Sequence, residues 1–306
     1  MVACIGIRTN NSYHRRTILY GIFVALLMLF PSASSLNVIV VGGSSGMGKA
    51  AALATIQRGG KVMLVSRSED KLSKAKDELC RQVPDTSVCT RVVDATDETQ
   101  VEEFATSLDT TEWDGLVISA AGRALHGSVA SLPTDDTKSM MDTKVWTAYH
   151  CAKHIGPKLR RPSQNAKSAE QTQEIGAAVV FVAGILNRRP GINCAPLAMA
   201  NGALEGLTRS LALEWGPHVR VNCLSPGFCD TERFDHMDEA RKANMMANTA
   251  ASLPLRRVGQ PSDMGEAIYY LLTAPFCTGV ILDVDGGHGI RQYANPNNDP
   301  MRKRGQ

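Results

Sequence analysis

The chain has 306 residues, of which 43% are hydrophobic and 5% aromatic, with 33 basic and 30 acidic side chains. This apolar content, with no period in the glycines and prolines, excludes a disordered or collagen-like chain. The first 35 residues hold three arginines and no acid, so residues 36–306 carry 33 − 3 = 30 basic and 30 acidic groups. A neutral body argues against a nucleic-acid-binding protein, which needs a basic face to neutralise phosphates.

Residues 1–35 have the composition of a targeting segment. Arg15 and Arg16 precede an uncharged run at 18–30, and small residues follow at 31–35. This order predicts a secretory signal peptide, and with it delivery to the endoplasmic reticulum lumen, to the cell exterior or to an organelle reached through the secretory pathway. The alternative is that residues 18–30 remain as a membrane anchor, although a spanning helix usually needs about 20 apolar residues.

After this segment, apolar β-branched runs alternate with helical patterns. Strands are predicted at 38–41, 61–65, 90–93, 115–118, 177–182, 219–223 and 279–284, and helices at 48–58, 68–81, 97–107, 137–159, 197–215 and 263–272. Continuous apolar strands spaced by helices are typical of a parallel sheet with both faces covered. We therefore predict one α/β domain at 36–289, a Rossmann-like, doubly wound parallel sheet. A polar loop is predicted at 160–176 and a polar basic tail at 290–306.

Seven cysteines follow residue 35, and none of them has the C-x-x-C or histidine spacing of a zinc site. We therefore predict no metal site and no disulfide framework. Most of these cysteines are expected to be small buried apolar residues. A pair between Cys80 and Cys89 is the alternative in an oxidising compartment.

A glycine-rich turn separates the first predicted strand from the first helix. It contains Gly42, Gly43, Gly46 and Gly48. Glycine permits a tight turn and lets backbone N–H groups approach a pyrophosphate, while the helix N-terminus supplies positive potential. The turn therefore predicts a phosphate-bearing cofactor at the start of the domain.

From this turn onward the chain resembles the short-chain dehydrogenase/reductase family, as a divergent member. The spacing of Gly42, Gly46 and Gly48 matches that family's cofactor loop. The other matching segments are Asp94, Ser119 to Gly122, Ala203 to Glu214, Arg220 to Asn222, Ser225 to Gly227 with Thr231, and Asp283 to Gly287. The resemblance implies a nicotinamide-dependent oxidoreductase that transfers hydride between a carbonyl and an alcohol, with an unknown small-molecule substrate.

The same resemblance implies a set of cofactor-binding positions. They are Gly42, Ser44, Ser45, Gly46, Met47, Gly48, Ser66, Arg67, Asp94, Ala95, Ala120, Ala121, Gly122, Asn201, Pro226, Gly227 and Thr231. In these folds an acidic residue at the end of the second strand favours NAD, whereas a basic residue accommodates the extra phosphate of NADP. Because that strand ends in Ser66 and Arg67, NADP is preferred over NAD. The alternative is that Arg67 is only a solvated residue before the next helix.

The family's catalytic asparagine, serine, tyrosine and lysine are all replaced. The resemblance aligns these four positions with Lys144, Gly184 (or its neighbour Ala183), Leu197 and Asn201. Leucine has no proton to exchange, and positioned acid–base catalysis contributes about 10²- to 10⁴-fold. Hydride transfer by the usual route of the family is therefore expected to be impaired.

Two functional hypotheses follow from these replacements. In the first, Lys144 and Asn201 have exchanged places between two helices that face one pocket, and a desolvated lysine serves as the proton donor. The alternative for Lys144 is an exposed position on its helix. In the second hypothesis the protein is a catalytically inactive NADP(H)-binding sensor, scaffold or partner subunit.

The resemblance also implies a homodimer or tetramer, formed through the helices predicted at 137–159 and 197–215. An apolar stripe at helical spacing is available for that contact. It comprises Leu197, Leu204, Leu207, Leu211 and Trp215. The alternative is that the stripe only faces its own sheet.

Overall fold

A computed structural model describes residues 35–122, 124–160 and 176–290 of the chain. The predicted targeting segment up to residue 34, most of the predicted polar loop and the tail from residue 291 lie outside these described residues. The strands are β1 (Asn37–Val41), β2 (Lys61–Ser66), β3 (Ser87–Val92), β4 (Gly115–Ile118), β5 (Ala177–Val182), β6 (Val219–Pro226) and β7 (Ile281–Val284). The α-helices are α1 (Gly46–Ile56), α2 (Glu69–Gln82), α3 (Glu98–Thr106), α4 (Thr134–Met141), α5 (Thr147–Ile155), α6 (Ala195–Trp215), α7 (Glu239–Ser252) and α8 (Pro261–Thr273).

The strands form one parallel sheet in the order β3-β2-β1-β4-β5-β6-β7. The chain moves outward from β1 to β3 and then returns to place β4 on the other side of β1. Open α/β sheets bind their ligands beyond the carboxyl ends of the strands at such a reversal. The glycine-rich turn after β1 and the segment after β4 therefore meet where a ligand is expected. The predicted doubly wound sheet is confirmed.

Both faces of the sheet are buried, which explains why the strands are apolar throughout. On β1, Ile39 and Val41 pack in the cluster that includes α3, α5 and α6. Val38 and Val40 pack in the opposite cluster, which includes α1, α2 and α8. Each fully buried aliphatic side chain stabilises the fold by about 1.5–3 kcal/mol. The two clusters together hold the sheet, and hence its carboxyl edge, in place.

The long helix predicted over 137–159 is divided by a π-helical turn. Helix α4 leads into the π turn at Asp142–Trp146, and α5 follows it. The Thr147 hydroxyl donates to the Asp142 carbonyl at 3.1 Å within this turn. π turns of this kind occur frequently at functional sites.

Two other elements differ from the sequence-based expectation. Strand β6 extends to Pro226, beyond the predicted end at residue 223, because its last residues pair with β7 up to Val284. Helix α7 was not predicted. It has no fully buried residue, so the apolar stripe that signals a helix is missing there.

The apolar stripe on α6 mainly serves the protein's own core. Leu204 and Leu211 are buried in the cluster under the sheet, and Leu207 and Trp215 pack against it partly buried. This is the alternative that the sequence left open for the stripe.

The seven cysteines of the described part of the chain, with Cys80 and Cys89 among them, are free thiols. Within the described ranges, no helix combines the length and the apolar character needed to cross a membrane.

Candidate cofactor pocket and active site

The glycine-rich turn leads from the carboxyl end of β1 into the first turn of α1. Gly42 has φ +82°, and a Cβ there would lie 2.6 Å from the backbone nitrogen of Ala120. Gly46 is the first residue of α1 and has φ +54°. Side chains are strained at these positive φ values, so the path of the turn requires glycine. The turn fits the cradle that a dinucleotide diphosphate needs, because it brings backbone N–H groups to a helix N-terminus.

The hydroxyl of Ser44 in this turn lies beside Ser66 and Arg67 at the end of β2. Ser44 Oγ donates to Ser66 Oγ at 3.2 Å, and Arg67 Nη1 lies 3.9 Å from Asp94 Oδ2. Asp94 is oriented by Thr96, whose backbone N–H and hydroxyl donate to Oδ1 at 3.0 and 2.7 Å. The Arg67 side chain is 61% exposed, so its guanidinium is accessible to a further anion. This set of donors suits a phosphate on the adenine ribose.

These groups line a cavity of about 270 Å³ along the carboxyl edge of the sheet. The predicted cofactor positions that it brings together are Gly42, Ser44, Ser45, Gly46, Met47, Gly48, Ser66, Arg67, Asp94, Ala95, Ala120, Ala121, Gly122 and Thr231. Sequence reasoning missed Thr143, Thr147, Glu232 and Arg233, which also line it. The one signal in the sequence was that Glu232 and Arg233 directly follow Thr231, a predicted cofactor position.

Three predicted cofactor positions lie outside the lining of this cavity. Pro226 is the last residue of β6 and pairs with Val284. Gly227 packs closely against Asp285, the residue that follows β7. A Cβ at Gly227 would lie 2.6 Å from Asp285 Cα. Asn201 is buried on α6, where its amide is engaged by Lys144.

Lys144 and Asn201 are in direct contact across the interface between the π turn and α6. Lys144 Nζ donates to Asn201 Oδ1 at 2.8 Å and to the Ala183 carbonyl at 2.9 Å. The structure thus brings together the two positions of the hypothesised exchange, and Lys144 is not a fully solvated surface lysine. Removal of the ammonium from water lowers the pKa of Lys144 to about 8, and the positive charge of Arg233 acts in the same direction.

The other two positions that the resemblance aligns with catalytic residues, Gly184 and Leu197, offer no functional group. At Gly184 a Cβ would lie 2.9 Å from Asn201 Nδ2, so the absent side chain makes room for the asparagine amide. Leu197 lies in the first turn of α6. The tyrosines of the described ranges lie elsewhere: Tyr149 is 44% exposed on α5, and Tyr269 and Tyr270 are on α8. No phenol of the described chain lines the cofactor cavity.

Close packing around Gly122 brings the π turn to the end of β4. A Cβ at Gly122 would lie 3.0 Å from Thr143 Cβ, so a side chain there would push the π turn away. Thr143 immediately precedes Lys144, and both Gly122 and Thr143 line the cavity. The motif after β4 therefore fixes the distance between the cofactor cavity and the lysine.

A cysteine–histidine contact that the sequence did not reveal lies near the start of α6. Cys194 Sγ is 3.4 Å from His126 Nδ1. Burial raises the pKa of the Cys194 thiol, and burial also lowers the pKa of His126. Both shifts favour the neutral forms, so this pair is not an activated thiolate.

Comparison with known proteins identifies the family of this chain. The family described as Enoyl-(Acyl carrier protein) reductase matches residues 41–289. Short-chain dehydrogenase/reductase ATR9 of Stachybotrys chlorohalonatus is 30% identical over 262 residues, which cover 84% of this chain and 98% of that protein. Carbonyl reductase family member 4 of Danio rerio is 27% identical over 252 residues, covering 81% and 96%.

A solved structure shares the fold of this chain. It is the NADPH-bound short chain oxidoreductase from Pseudomonas aeruginosa PAO1 containing an atypical catalytic center, with 26% identity and a TM-score of 0.72. The match covers 85% of this chain and 98% of that one. The parallel sheet, the glycine turn and these matches lead to one conclusion: the chain belongs to the short-chain dehydrogenase/reductase family.

Proposed function

We propose that this protein is an NADP(H)-dependent oxidoreductase that interconverts a carbonyl and an alcohol, with Lys144 as its proton donor and acceptor. The observation that carries the proposal is the lysine itself, desolvated and held between Asn201 and the Ala183 carbonyl beside the cofactor cavity. The similar oxidoreductase from Pseudomonas aeruginosa, which binds NADPH and contains an atypical catalytic center, supports it.

Different groups of the chain bind different parts of the cofactor. The glycine turn and the N-terminus of α1 bind the diphosphate, and Ser44, Ser66 and Arg67 bind the ribose phosphate that distinguishes NADP from NAD. The bound cofactor supplies or accepts the hydride.

Lys144 donates or accepts the proton that accompanies the hydride. Its ammonium has three N–H donors, and two of them are used by the Asn201 and Ala183 oxygens. The third is available to a substrate oxygen. In the reducing direction the carbonyl carbon gains hydride while its oxygen takes a proton from Lys144, which is then reprotonated from solvent. A donor with a pKa of about 8 is well matched to this exchange near neutral pH.

The second candidate function is an inactive NADP(H)-binding sensor, scaffold or partner subunit. Leu197 and Gly184 favour it, because neither has a hydroxyl to hold a substrate oxygen. It requires the same cofactor cavity and differs only in turnover.

Titration of the full chain with NADPH and NADH, followed by NADPH consumption with a panel of ketones and aldehydes, tests the proposal. Binding with turnover supports the reductase. Binding without turnover across the panel supports the inactive NADP(H)-binding protein. If neither nucleotide binds, both candidate functions are contradicted.

Arg67→Ala is expected to weaken NADPH binding by about 10- to 100-fold, the loss of one charge-assisted contact, and to leave NADH binding unchanged. The Kd values for the two nucleotides, measured by fluorescence, check this. Arg91→Ala is the matched control, because Arg91 is an exposed arginine on the neighbouring strand β3. Equal losses for NADPH and NADH in Arg67→Ala would contradict the assignment of NADP.

We also propose that residues 1–35 direct the chain to the secretory pathway and that the protein is a dimer or tetramer. Exposed apolar residues support a second copy: Trp146 in the π turn, and Met199 and Leu213 on α6, are 51%, 57% and 87% exposed. Sedimentation of the full chain checks the oligomer.

A further inference from the structure

The cofactor turn already holds an anion, and that anion belongs to the protein. The Gly46 backbone N–H donates to Glu232 Oε2 at 2.8 Å. The other carboxylate oxygen of Glu232, Oε1, lies 2.9 Å from Lys49 Nζ. One carboxylate is therefore fixed at both oxygens, one of them at the first residue of α1.

This position is where the glycine turn would receive a phosphate. Gly46 begins α1, and a free N–H at a helix N-terminus attracts negative charge. The side chain of Thr231 also lies over the turn, since a Cβ at Gly46 would be 3.6 Å from its Cγ2. The segment from Thr231 to Glu232 thus covers the donors that a diphosphate needs.

The segment that carries Glu232 is held to the body only lightly. It forms a short 3-10 turn at Glu232–Phe234 that is followed by α7. Neither element contains a fully buried residue. Segments with few buried contacts open locally at low free energy. The carboxylate can therefore leave the turn without unfolding the sheet.

We infer that Glu232 is an internal competitor for the cofactor diphosphate: it occupies the glycine turn in the free protein and must leave when NADP(H) binds. This inference rests on the proposed cofactor function. A binding-competent state that is only partly populated lowers the apparent affinity by that fraction. The contact therefore sets how much NADP(H) is needed to fill the site.

Three variants separate this competition from general charge repulsion. Glu232→Gln removes the negative charge, whereas Glu232→Asp keeps it on a side chain one methylene shorter, which moves it away from the Gly46 N–H. Glu78→Gln is the matched control, because Glu78 Oε2 accepts from the same Lys49 at 2.8 Å but does not contact the turn. The Kd of each full-length protein for NADPH is measured by fluorescence.

Glu232→Gln and Glu232→Asp should both bind NADPH about fivefold more tightly than the parent, the upper end of the effect of a carboxylate at an exposed helix N-terminus. Glu78→Gln should show no such gain. Parent-like affinity in Glu232→Asp, with a gain only in Glu232→Gln, would mean simple repulsion and overturn the competition. Parent-like affinity in both variants would also overturn it and leave the proposed function intact. Failure of the parent and every variant to bind NADPH would reject the proposed function, and the inference with it.

Discussion

Lys144→Met should lower the rate of carbonyl reduction by NADPH by about 10²- to 10⁴-fold, the usual contribution of a positioned acid. The Kd for NADPH should not change, because Lys144 contacts Asn201 and the Ala183 carbonyl and not the glycine turn. Stopped-flow single-turnover rates and NADPH titration measure the two quantities separately. A variant that binds NADPH normally and reduces carbonyls at the parent rate would remove Lys144 from the chemistry.

Two control variants define what the lysine does. Lys153→Met removes a lysine from α5 that donates to Glu98 at 2.6 Å on the surface, and it should reduce carbonyls at the parent rate. Lys144→Arg keeps a positive charge but does not release a proton near neutral pH. We expect it to be nearly as slow as Lys144→Met. Parent-like rates in Lys144→Arg would show that the charge matters and the proton does not.

Gly42→Ala should abolish tight cofactor binding. The new methyl group would meet the Ala120 backbone at 2.6 Å, at a φ of +82° that alanine tolerates poorly, so the turn must move away from the end of β4. A shift of about 1 Å in a preorganised site costs about 100-fold, and we expect a loss of that order in NADPH affinity. Calorimetric titration of the folded variant measures it.

Gly59→Ala is the control for backbone strain at this position. Gly59 also has a positive φ, +78°, but a Cβ there meets no atom within 4 Å. It should lose about 1–2 kcal/mol of unfolding free energy from the left-handed backbone and keep its affinity for NADPH. Equal NADPH affinities in the two variants would contradict the role of the glycine turn.

The sequence was most informative where function depends on the backbone. Continuous apolar strands predicted the sheet, because a parallel sheet is buried on both faces. Gly42 and Gly46 predicted the cofactor turn, because positive φ values and close backbone approach leave few other choices. The ends of elements were less accurate: β3 begins at Ser87 and not at Thr90, since exposed edge residues carry little apolar signal.

Features that depend on side chains from distant segments were not predictable in this way. The sequence suggested the exchange of Lys144 and Asn201 but kept an exposed lysine as the alternative, because only the folded chain brings the Ala183 carbonyl to the ammonium. Glu232 lies 186 positions from Gly46, and no local pattern links them. The π turn is likewise a tertiary feature, positioned by the contact between Gly122 and Thr143.

The most direct test of the account is the pH dependence of single-turnover carbonyl reduction at saturating NADPH, from about pH 6 to about pH 10. Reduction needs the protonated lysine, and burial lowers the pKa of Lys144 to about 8. The rate constant should therefore be constant below that pKa and fall tenfold per pH unit above it, and this falling limb should be absent in Lys144→Met. A parent rate that stays level through pH 8 and beyond, or the same falling limb in Lys144→Met, would show that another group delivers the proton.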